Sequence, residues 1–308
     1  MGHHEPEAMS AGCRAHANST STDPRERRWL CRRRRKPATA CIRLRAAWLL
    51  MLVMMALASI PSSAAATVLP EQGIYYGCSI NCEAGLDAAR AAGLSFVITP
   101  PSRSVAGALQ ARGMSAFWNV SYRTPRPDLV QEFASSPTTR GWYVADEPAQ
   151  HDAGAAQWWT QQIHAIDAGH PTLSVHFGCS RSQATGAMRP FKDVADWLGT
   201  DCYPVGPGSS RVTGPSFAGG AAVAAQYGRT FWAVTQAASW AEMCGAACGR
   251  TEVAWPSPRE MQIMRDCAAA AGARVIAWYS LDKILSGGER RLQDLATAVR
   301  SPQLGCPR

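Results

Sequence analysis

The chain has 308 residues and a formal net charge of +8, from 31 Lys and Arg against 23 Asp and Glu. Residues 1–66 hold 11 of the basic and 4 of the acidic residues, so residues 67–308 carry a net charge of only +1. A nearly neutral domain offers no basic face to a phosphate backbone, which argues against a nucleic-acid partner.

The N-terminal segment has the composition of an export signal. A basic run at 32–36 precedes an apolar run from Ala46 to Ala58, and small residues follow as far as Ala66. This order predicts a secretory signal peptide cleaved near Ala64 to Ala66. We therefore expect a secreted, extracellular protein that meets a membrane only through its export signal. An uncleaved anchor is the alternative, but the apolar run is shorter than the roughly 20 residues that a membrane-spanning helix needs.

Residues 67–308 alternate between helix-like stretches and hydrophobic runs. Five helix-like stretches end in a glycine, as expected for the left-handed residue that follows a helix. These glycines are Gly93, Gly113, Gly169, Gly228 and Gly272. Eight hydrophobic runs are predicted as strands, at 74–77, 94–98, 116–120, 142–145, 173–177, 197–201, 231–234 and 275–279. The alternation predicts a single-domain (β/α)8 TIM barrel over 67–308. A doubly wound open sheet is the alternative, but no Gly-rich phosphate loop follows the first strand.

Eight cysteines follow residue 66, and an even number in an exported chain predicts disulfides. With the barrel as a scaffold, two pairs would close within single loops and two would join separate segments. The predicted pairs are Cys78–Cys82, Cys244–Cys248, Cys179–Cys202 and Cys267–Cys306. A zinc site built from the two Cys-x-x-x-Cys pairs is the alternative, but the spacing and the oxidising compartment argue against it.

Polar and aromatic residues follow the predicted strands, at the barrel face where active sites of this fold lie. The fourth strand ends in Asp146, Glu147 and Pro148, and charges at the end of a buried strand are costly without a partner or a function. Because neighbouring strand residues point to opposite sides, we expect only one of the two carboxylates to point squarely into a site. The other strand ends and the seventh loop supply Tyr76, Asn119, His176, Asp201, Tyr203, Gln236, Trp240 and Trp278. His176 and Asp201 each have a structural alternative, as hydrogen-bonded residues of the barrel.

These strand ends resemble those of the large clan of retaining glycoside hydrolases with a (β/α)8 barrel. That clan has Asn-Glu-Pro after strand four, a tyrosine near the end of strand six, a nucleophilic glutamate ending strand seven and a tryptophan ending strand eight. In those places this chain has Asp146-Glu147-Pro148, Tyr203, Gln236 and Trp278. The resemblance implies hydrolysis of O-glycosidic bonds in a polysaccharide, with Glu147 as general acid/base.

The resemblance fails at the nucleophile, because Gln236 cannot form a glycosyl ester. Three explanations are open. In the first, Asp201 or Glu242 supplies the second carboxylate. In the second, an acetamido group of the substrate attacks, as in barrel hexosaminidases that carry an Asp-Glu pair on strand four. In the third, the barrel has lost hydrolysis and only binds carbohydrate.

We therefore expect a monomeric glycoside hydrolase-like protein with Glu147, Asp146 and Asp201 as catalytic residues and a carbohydrate as substrate. Asp146 would orient the substrate or tune Glu147, whose pKa would need to be raised by burial. The expected substrate-binding residues are Tyr76, Asn119, His176, Tyr203, Gln236, Trp240 and Trp278. No cofactor or metal is implied, because the sequence lacks the His-x-His and His-Glu-x-x-His patterns of metal-dependent hydrolases.

Overall fold

The computed structural model describes residues 69–77, 82–206, 215–243 and 254–307. These residues belong to one compact unit, Ala64–Arg308. The signal peptide, the start of the barrel domain at residue 67 and the pairs Cys78–Cys82 and Cys244–Cys248 involve residues outside this set. They therefore stay predictions.

Eight parallel strands close into a barrel in chain order, and β8 pairs with both β7 and β1. The strands are β1 Glu71–Tyr75, β2 Phe96–Thr99, β3 Ser115–Asn119, β4 Thr139–Asp146, β5 Thr172–Phe177, β6 Trp197–Cys202, β7 Thr230–Gln236 and β8 Val275–Tyr279. The predicted (β/α)8 TIM barrel is confirmed. Two strands begin three residues earlier than predicted, β1 at Glu71 and β4 at Thr139, because both also pair with neighbouring strands over these residues.

Helices connect the strands and cover the outside of the barrel. They are α1 Cys82–Ala91, α2 Arg103–Ala111, α3 Pro127–Phe133, α4 Ala153–Ile166, α5 Arg181–Met188, α6 Pro215–Gln226, α7 Trp240–Met243, α8 Pro258–Ala270, α9 Leu281–Ser286 and α10 Glu289–Arg300. Within the described ranges, none of these helices combines the length and the apolar character that crossing a membrane requires.

Glycine closes most of the predicted helices, with one exception. Four of the five predicted glycines have positive φ angles between 60° and 95°: Gly93, Gly113, Gly228 and Gly272. Gly169 does not, because α4 ends earlier. The N–H of Asp167 donates to the carbonyl of Ile163 at 2.7 Å, and the Asp167 carboxylate accepts from the N–H of Gly169 at 3.0 Å. A side-chain turn thus closes this helix in place of a left-handed glycine.

The inside of the barrel is filled by side chains. They are Phe96, Ile98, Phe117, Tyr143, Leu173, Val175, Trp232, Val234, Val275 and Ala277. Trp232 is the largest of them, and its indole N–H donates to the carbonyl of Ser174 at 3.0 Å. Gly199 makes room for this ring, since a Cβ there would lie 2.4 Å from the indole nitrogen. The interior is a packed core, so any chemistry must take place at an end of the barrel.

Strand β4 contains an extra residue. Tyr143 and Ala145 pair with consecutive residues of β5, so Val144 between them has no partner there. Val144 and Ala145 both pack into the outer core between the barrel and the helices. Asp146 then pairs with Val175, whose side chain lies inside the barrel. This bulge turns the acidic end of β4 towards the interior.

Two disulfides join separate segments of the described chain, and both predicted pairings are confirmed. Cys179–Cys202 links the loop after β5 to the end of β6, where the strands end. Cys267–Cys306 links the last turns of α8 to the C-terminal tail. Beside the second disulfide, the buried guanidinium of Arg265 donates to four backbone carbonyls at the end of α10 and in the tail. The tail is thereby fixed to α8 at the end of the barrel where the strands begin.

Candidate active site

Three carboxylates meet at the mouth, which is the open end of the barrel where the strands end. Asp146 and Glu147 follow the bulge of β4, and Asp201 lies one residue before the end of β6. The carboxyl of Asp201 lies within hydrogen-bonding reach of Glu147, and the charges of both Glu147 and Asp146 act on it. The structure therefore brings together the three residues predicted as catalytic. Asp146 and Glu147 both lie at the mouth, whereas simple alternation along a strand predicts that only one of them points there.

Asp201 is the buried member of this cluster, with 3% of its surface exposed. Burial, followed by the negative charge of Glu147, raises the pKa of Asp201 well above its usual range. Asp201 therefore holds its proton to a higher pH than an exposed aspartate does, and in its protonated form it can donate a hydrogen bond to Glu147. Its Oδ1 atom has no hydrogen-bond partner among the described residues. A buried oxygen of this kind is suited to accept from a water or a substrate hydroxyl.

Glu147 is exposed and has a left-handed backbone, with φ at +39°. No other residue with a Cβ has a positive φ in the part of the chain that the structure describes. The N–H of Glu147 donates to the carbonyl of Val175 at 3.0 Å, which continues the pairing of β4 with β5. Backbone strain of this type costs about 1–3 kcal/mol and is concentrated at functional sites. Glu147 thus has the backbone signature of a functional residue.

Asp146 can be reached by solvent but is ringed by protein. Burial raises the pKa of Asp146, and the charge of Glu147 acts in the same direction. The nearby hydroxyl of Tyr143 and the positive charge of Arg123 oppose that rise. Arg123 is exposed at the mouth, where its Nε donates to the hydroxyl of Tyr122 at 3.0 Å. A cation therefore stands beside the solvent-facing edge of the cluster.

Four tyrosines surround the carboxylates: Tyr75, Tyr143, Tyr203 and Tyr279. The ring of Tyr75 lies 5.6 Å from that of Tyr143 and 5.4 Å from that of Tyr279, and the rings of Tyr203 and Tyr279 are 5.9 Å apart. Burial and the nearby carboxylates raise the pKa of all four hydroxyls, most strongly for Tyr75, Tyr143 and Tyr203. The four hydroxyls consequently remain hydrogen-bond donors at neutral pH.

Trp240 and Asn119 lie at the mouth, in agreement with their predicted positions. The edge of the half-buried Trp240 ring contacts Tyr203 at a centroid distance of 5.7 Å. Asn119 ends β3 two residues after Phe117, whose side chain fills the barrel interior, so alternation gives Asn119 the same inward orientation.

Tyr76, His176 and Trp278 lie on the outer side of the barrel wall, away from the mouth. Trp278 donates from its indole nitrogen to the side-chain oxygen of Gln72 at 3.2 Å. His176 contacts the hydroxyl of Ser174 at 3.1 Å, and burial lowers the pKa of His176 to about 3, so its ring is neutral. Alternation along the strands turns all three side chains into the layer beneath the helices. As placed here, they cannot contact a substrate at the mouth.

Two inward-facing residues that were not predicted from the sequence lie next to Tyr76 and Trp278. Tyr75 precedes Tyr76 on β1, and Tyr279 follows Trp278 on β8. In each of these strands the predicted facing differs by one residue from the facing in the structure, which accounts for both omissions. The signal that could have found Tyr279 is the small Ala277 two residues earlier, which fits the crowded interior.

Phe177 is a further residue that the sequence did not reveal. It ends β5 two residues after Val175, whose side chain lies inside the barrel, and it pairs with Asp201 of β6. Its side chain is 40% exposed, which is unusual for a large aromatic residue at a strand end. Phe177 therefore presents an aromatic surface at the mouth beside Asp201.

Gln236 does not offer its amide to the mouth. It is fully buried, its nitrogen donates to the carbonyls of Val205 at 2.9 Å and Ala238 at 3.0 Å, and its oxygen accepts from the N–H of Val205 at 2.8 Å. Both donors are used, so none remains for a sugar hydroxyl. The expected substrate-binding role is replaced by a bond to the backbone.

Glu242, the other candidate for a second carboxylate, is committed elsewhere. Its Oε2 atom accepts from the hydroxyl of Ser239 at 2.5 Å and from the Ser239 N–H at 3.3 Å. Glu242 thereby caps the first turn of α7, which leaves Asp201 as the carboxyl beside Glu147.

The opposite end of the barrel has a different character. Two surface cavities of about 400 and 590 Å³ lie where the strands begin, and Glu71 and Arg140 line both. These two residues form an ion pair, and the Arg140 guanidinium also packs over the rings of Phe96 and Phe117. Among the described residues, no group of three or more His, Cys, Asp or Glu side chains is arranged to hold a metal ion.

No family model matches the chain, and no curated protein matches it in sequence. Solved structures do match. A protein assigned as an α-L-fucosidase from Bacteroides thetaiotaomicron has a TM-score of 0.56 at 11% identity, with 76% of this chain and 92% of that chain covered. A polyextremophilic β-galactosidase from Halorubrum lacusprofundi has a TM-score of 0.54 at 13% identity, and the match covers 74% of this chain and only 57% of that one.

A third match is a GH128 endo-β-1,3-glucanase from Amycolatopsis mediterranei, whose structure contains laminaripentaose. Its TM-score is 0.51 at 16% identity, and the match covers 75% of this chain and 99% of that chain. Identities this low show a shared fold. The chain is therefore a (β/α)8 barrel of the type found in glycoside hydrolases.

Proposed function

We propose that this protein hydrolyses O-glycosidic bonds of a polysaccharide, with Glu147 and Asp201 as the groups that transfer protons. One observation carries the proposal: a buried carboxyl, that of Asp201, lies within hydrogen-bonding reach of the solvent-facing Glu147 at the mouth, and its pKa is raised. Glycoside hydrolysis needs a carboxylic acid that keeps its proton near neutral pH and delivers it to the leaving oxygen.

The closeness of the two carboxyls supports a division of roles between them. Carboxyls within hydrogen-bonding reach are closer than the roughly 5–5.5 Å of retaining pairs and the 6.5–9.5 Å of inverting pairs. We therefore assign Asp201 and Glu147 to one proton donor rather than to an acid and a separate nucleophile. Glu147 is the exposed member, so it passes the proton to the glycosidic oxygen as the bond to the anomeric carbon breaks.

A second group must then attack the anomeric carbon. Gln236 and Glu242 are committed to hydrogen bonds away from the mouth. The attacking group is a water molecule or an acetamido substituent of the substrate, and Asp146 is the carboxylate that orients it. When water attacks, its proton returns to the carboxylates, so the sum of the steps is hydrolysis with no net change in the protein.

The walls of the mouth suit a sugar chain. Tyr203, Tyr279, Trp240 and Phe177 offer flat apolar faces, and the tyrosines add hydroxyl donors, a combination that matches a pyranose ring with its hydroxyl groups. Export of the protein is part of the proposal. The basic and apolar runs before residue 66 and the two disulfides support it.

The test is a reducing-end assay of the purified protein on a panel of polysaccharides that includes β-1,3- and β-1,4-linked glucans, galactans, mannans and chitin. We expect turnover on at least one polymer, and a loss of about 100-fold or more in Glu147→Gln and Asp201→Asn. Glu132→Gln, the same change on the surface of α3, serves as the control and should keep full activity. Turnover that survives Glu147→Gln would remove this residue from the mechanism.

A second candidate function is carbohydrate binding without hydrolysis. The observation that favours it is the amide at position 236, where the resembling enzymes have a nucleophile. Binding of a polymer by the parent protein, measured by affinity electrophoresis, with no release of reducing ends would support this function and reject the first.

A further inference from the structure

Gln236 makes a set of hydrogen bonds that only an amide can make. Its oxygen accepts from the backbone of Val205, and its nitrogen donates to two carbonyls, those of Val205 and Ala238. The pairing with both the N–H and the carbonyl of Val205 imitates the pairing of a neighbouring strand. A glutamate has the same shape, but when ionised it can only accept, so it would face two carbonyl oxygens without a proton.

The backbone that Gln236 holds carries part of the mouth. Val205 follows Tyr203 by two residues in the loop after β6. The ring of Tyr203 packs against those of Trp240 at 5.7 Å and Tyr279 at 5.9 Å. The charges of all three carboxylates of the cluster act on the Tyr203 hydroxyl. The position of this loop therefore decides where that hydroxyl lies relative to the carboxylates.

The following inference rests on the proposed function. We propose that Gln236 is a positioning residue. Through the backbone of Val205, it fixes Tyr203 beside Asp201 and Glu147. Gln236 joins the loop after β6 to the loop after β7, which also carries Trp240. Gln236 therefore acts as a latch, by which we mean a side chain whose hydrogen bonds hold the two loops of the mouth together. The amide at this position is required by the hydrogen bonds, and its presence is no sign of a lost nucleophile.

The rival explanation treats position 236 as a nucleophile site that has lost its carboxylate. The two explanations predict opposite effects of Gln236→Glu. A vacant nucleophile site would gain turnover and could form a covalent glycosyl ester. A latch would lose two donated hydrogen bonds and place a buried carboxylate against two carbonyls.

The first experiment compares the parent with Gln236→Glu and with Gln131→Glu, the same change at an exposed position of α3. We expect kcat to fall about 10-fold or more in Gln236→Glu, and the loss to grow as the pH rises from 4 to 8. The introduced carboxyl keeps one donor only while it is protonated, which explains this pH dependence. A rise in kcat, or a covalent adduct at position 236 with a 2-deoxy-2-fluoro glycoside, would overturn the proposal.

The second experiment tests whether Gln236 acts through Tyr203. Gln236→Met keeps the size of the side chain without adding charge, and Tyr203→Phe removes the hydroxyl alone. We expect each to lower kcat more than it changes KM, and the double variant to resemble the single variants, because residues that act as one unit are not additive. Effects on kcat that multiply in the double variant would overturn the proposal.

A third measurement separates this proposal from the proposed function. Backbone amide hydrogen exchange of Tyr203, Val205 and Gly206 should become faster in Gln236→Met than in the parent, with no change in Gln131→Glu. Unchanged exchange at these amides would overturn the latch whether or not the protein is an enzyme. Faster exchange in a protein without turnover would retain the latch and reject only the hydrolytic function.

Discussion

Asp201 lies within hydrogen-bonding reach of Glu147 at the mouth of the barrel, and the pKa of Asp201 is raised well above its usual range. Its burial has the larger effect on its pKa, and the negative charge of Glu147 adds to it. A buried carboxyl with a raised pKa beside an exposed carboxylate is useful for acid catalysis but unfavourable for stability. This conflict gives the first prediction.

Replacing Asp201 by Asn should stabilise the protein near neutral pH while removing its activity. The raised pKa means that the folded state holds this proton to a higher pH than the unfolded chain, which releases it near pH 4, so the free energy of unfolding of the parent falls as the pH rises above that value. Asp201→Asn has no carboxyl at this position, so its free energy of unfolding does not fall with pH for this reason. We expect its melting temperature to exceed that of the parent at pH 7, by about 2–4 °C for each kcal/mol, with no difference near pH 3.

Asp152→Asn is the matched control for this prediction, with the opposite sign. The Tyr122 hydroxyl donates to Asp152 at 2.7 Å, and this bond lowers the pKa of Asp152. Its contribution is present above pH 4 and is lost as the pH falls, so Asp152→Asn should be less stable than the parent at pH 7. A melting temperature of Asp201→Asn below that of the parent at pH 7 would contradict the raised pKa of Asp201.

Glu147 should tolerate glycine better than alanine. Its φ of +39° is strained for any residue with a Cβ, and glycine removes that strain. We expect Glu147→Gly to be more stable than Glu147→Ala by about 1 kcal/mol in urea unfolding, although both lose activity. At Glu132, which lies in α3, the order should reverse, because glycine is the poorer helix former. If the Gly and Ala variants had the same order of stability at Glu147 and at Glu132, the argument from the backbone of Glu147 would be refuted.

The two disulfides should have similar effects on stability and different effects on activity. Their loops span 23 and 39 residues, so loop entropy assigns each about 3–4 kcal/mol. Cys179–Cys202 lies at the mouth next to Asp201, whereas Cys267–Cys306 lies at the other end of the barrel. We expect the double Ser variant of the first pair to lose kcat/KM about 10-fold or more, measured well below both melting temperatures. The double Ser variant of Cys267–Cys306 should keep the kcat/KM of the parent. An equal loss of kcat/KM in both double variants would contradict this reasoning.

Phe177 should contribute to substrate binding. Its exposed ring at the mouth can stack on a sugar, for which we take the range of about 0.5–1.5 kcal/mol that pairs of aromatic rings contribute. We expect Phe177→Ala to raise KM about 2- to 10-fold with little change in kcat, and Phe177→Tyr to restore it. Trp158→Ala changes an exposed ring on α4 and is the control. An unchanged KM in Phe177→Ala would exclude a stacking role.

The fold could be predicted because its signals are local. Helices followed by glycine and short hydrophobic runs occur in strict alternation, and a closed barrel of eight parallel strands is what such a chain forms. The exception at Gly169 shows the limit of this approach. The hydrogen bond from its N–H to Asp167 closes the helix by a side chain, and the sequence alone does not distinguish the two ways of ending a helix.

The site was predictable only in its polar part. Asp146, Glu147 and Asp201 could be found because charges at buried strand ends need a reason. Tyr75 and Tyr279 were missed, because the facing of a strand end changes with a shift of one residue, and periodicity in five-residue strands is too short to fix it. The hydrogen bonds of Gln236 depend on the loop after the neighbouring strand β6, 31 residues away in the sequence, and no local pattern contains them.

The bulge at Val144 has a consequence for how this site can vary. A regular strand delivers only every second residue to one side of a sheet, so Asp146, three residues after the inward-facing Tyr143, would face the outer layer without the extra residue. Substitutions at Val144 or Ala145 that preserve volume leave the spacing intact. Deletion of one residue from this segment would instead reverse the facing of everything that follows it in β4. The position of Asp146 and Glu147 at the mouth is therefore more sensitive to a change in the length of this strand than to a change in its composition.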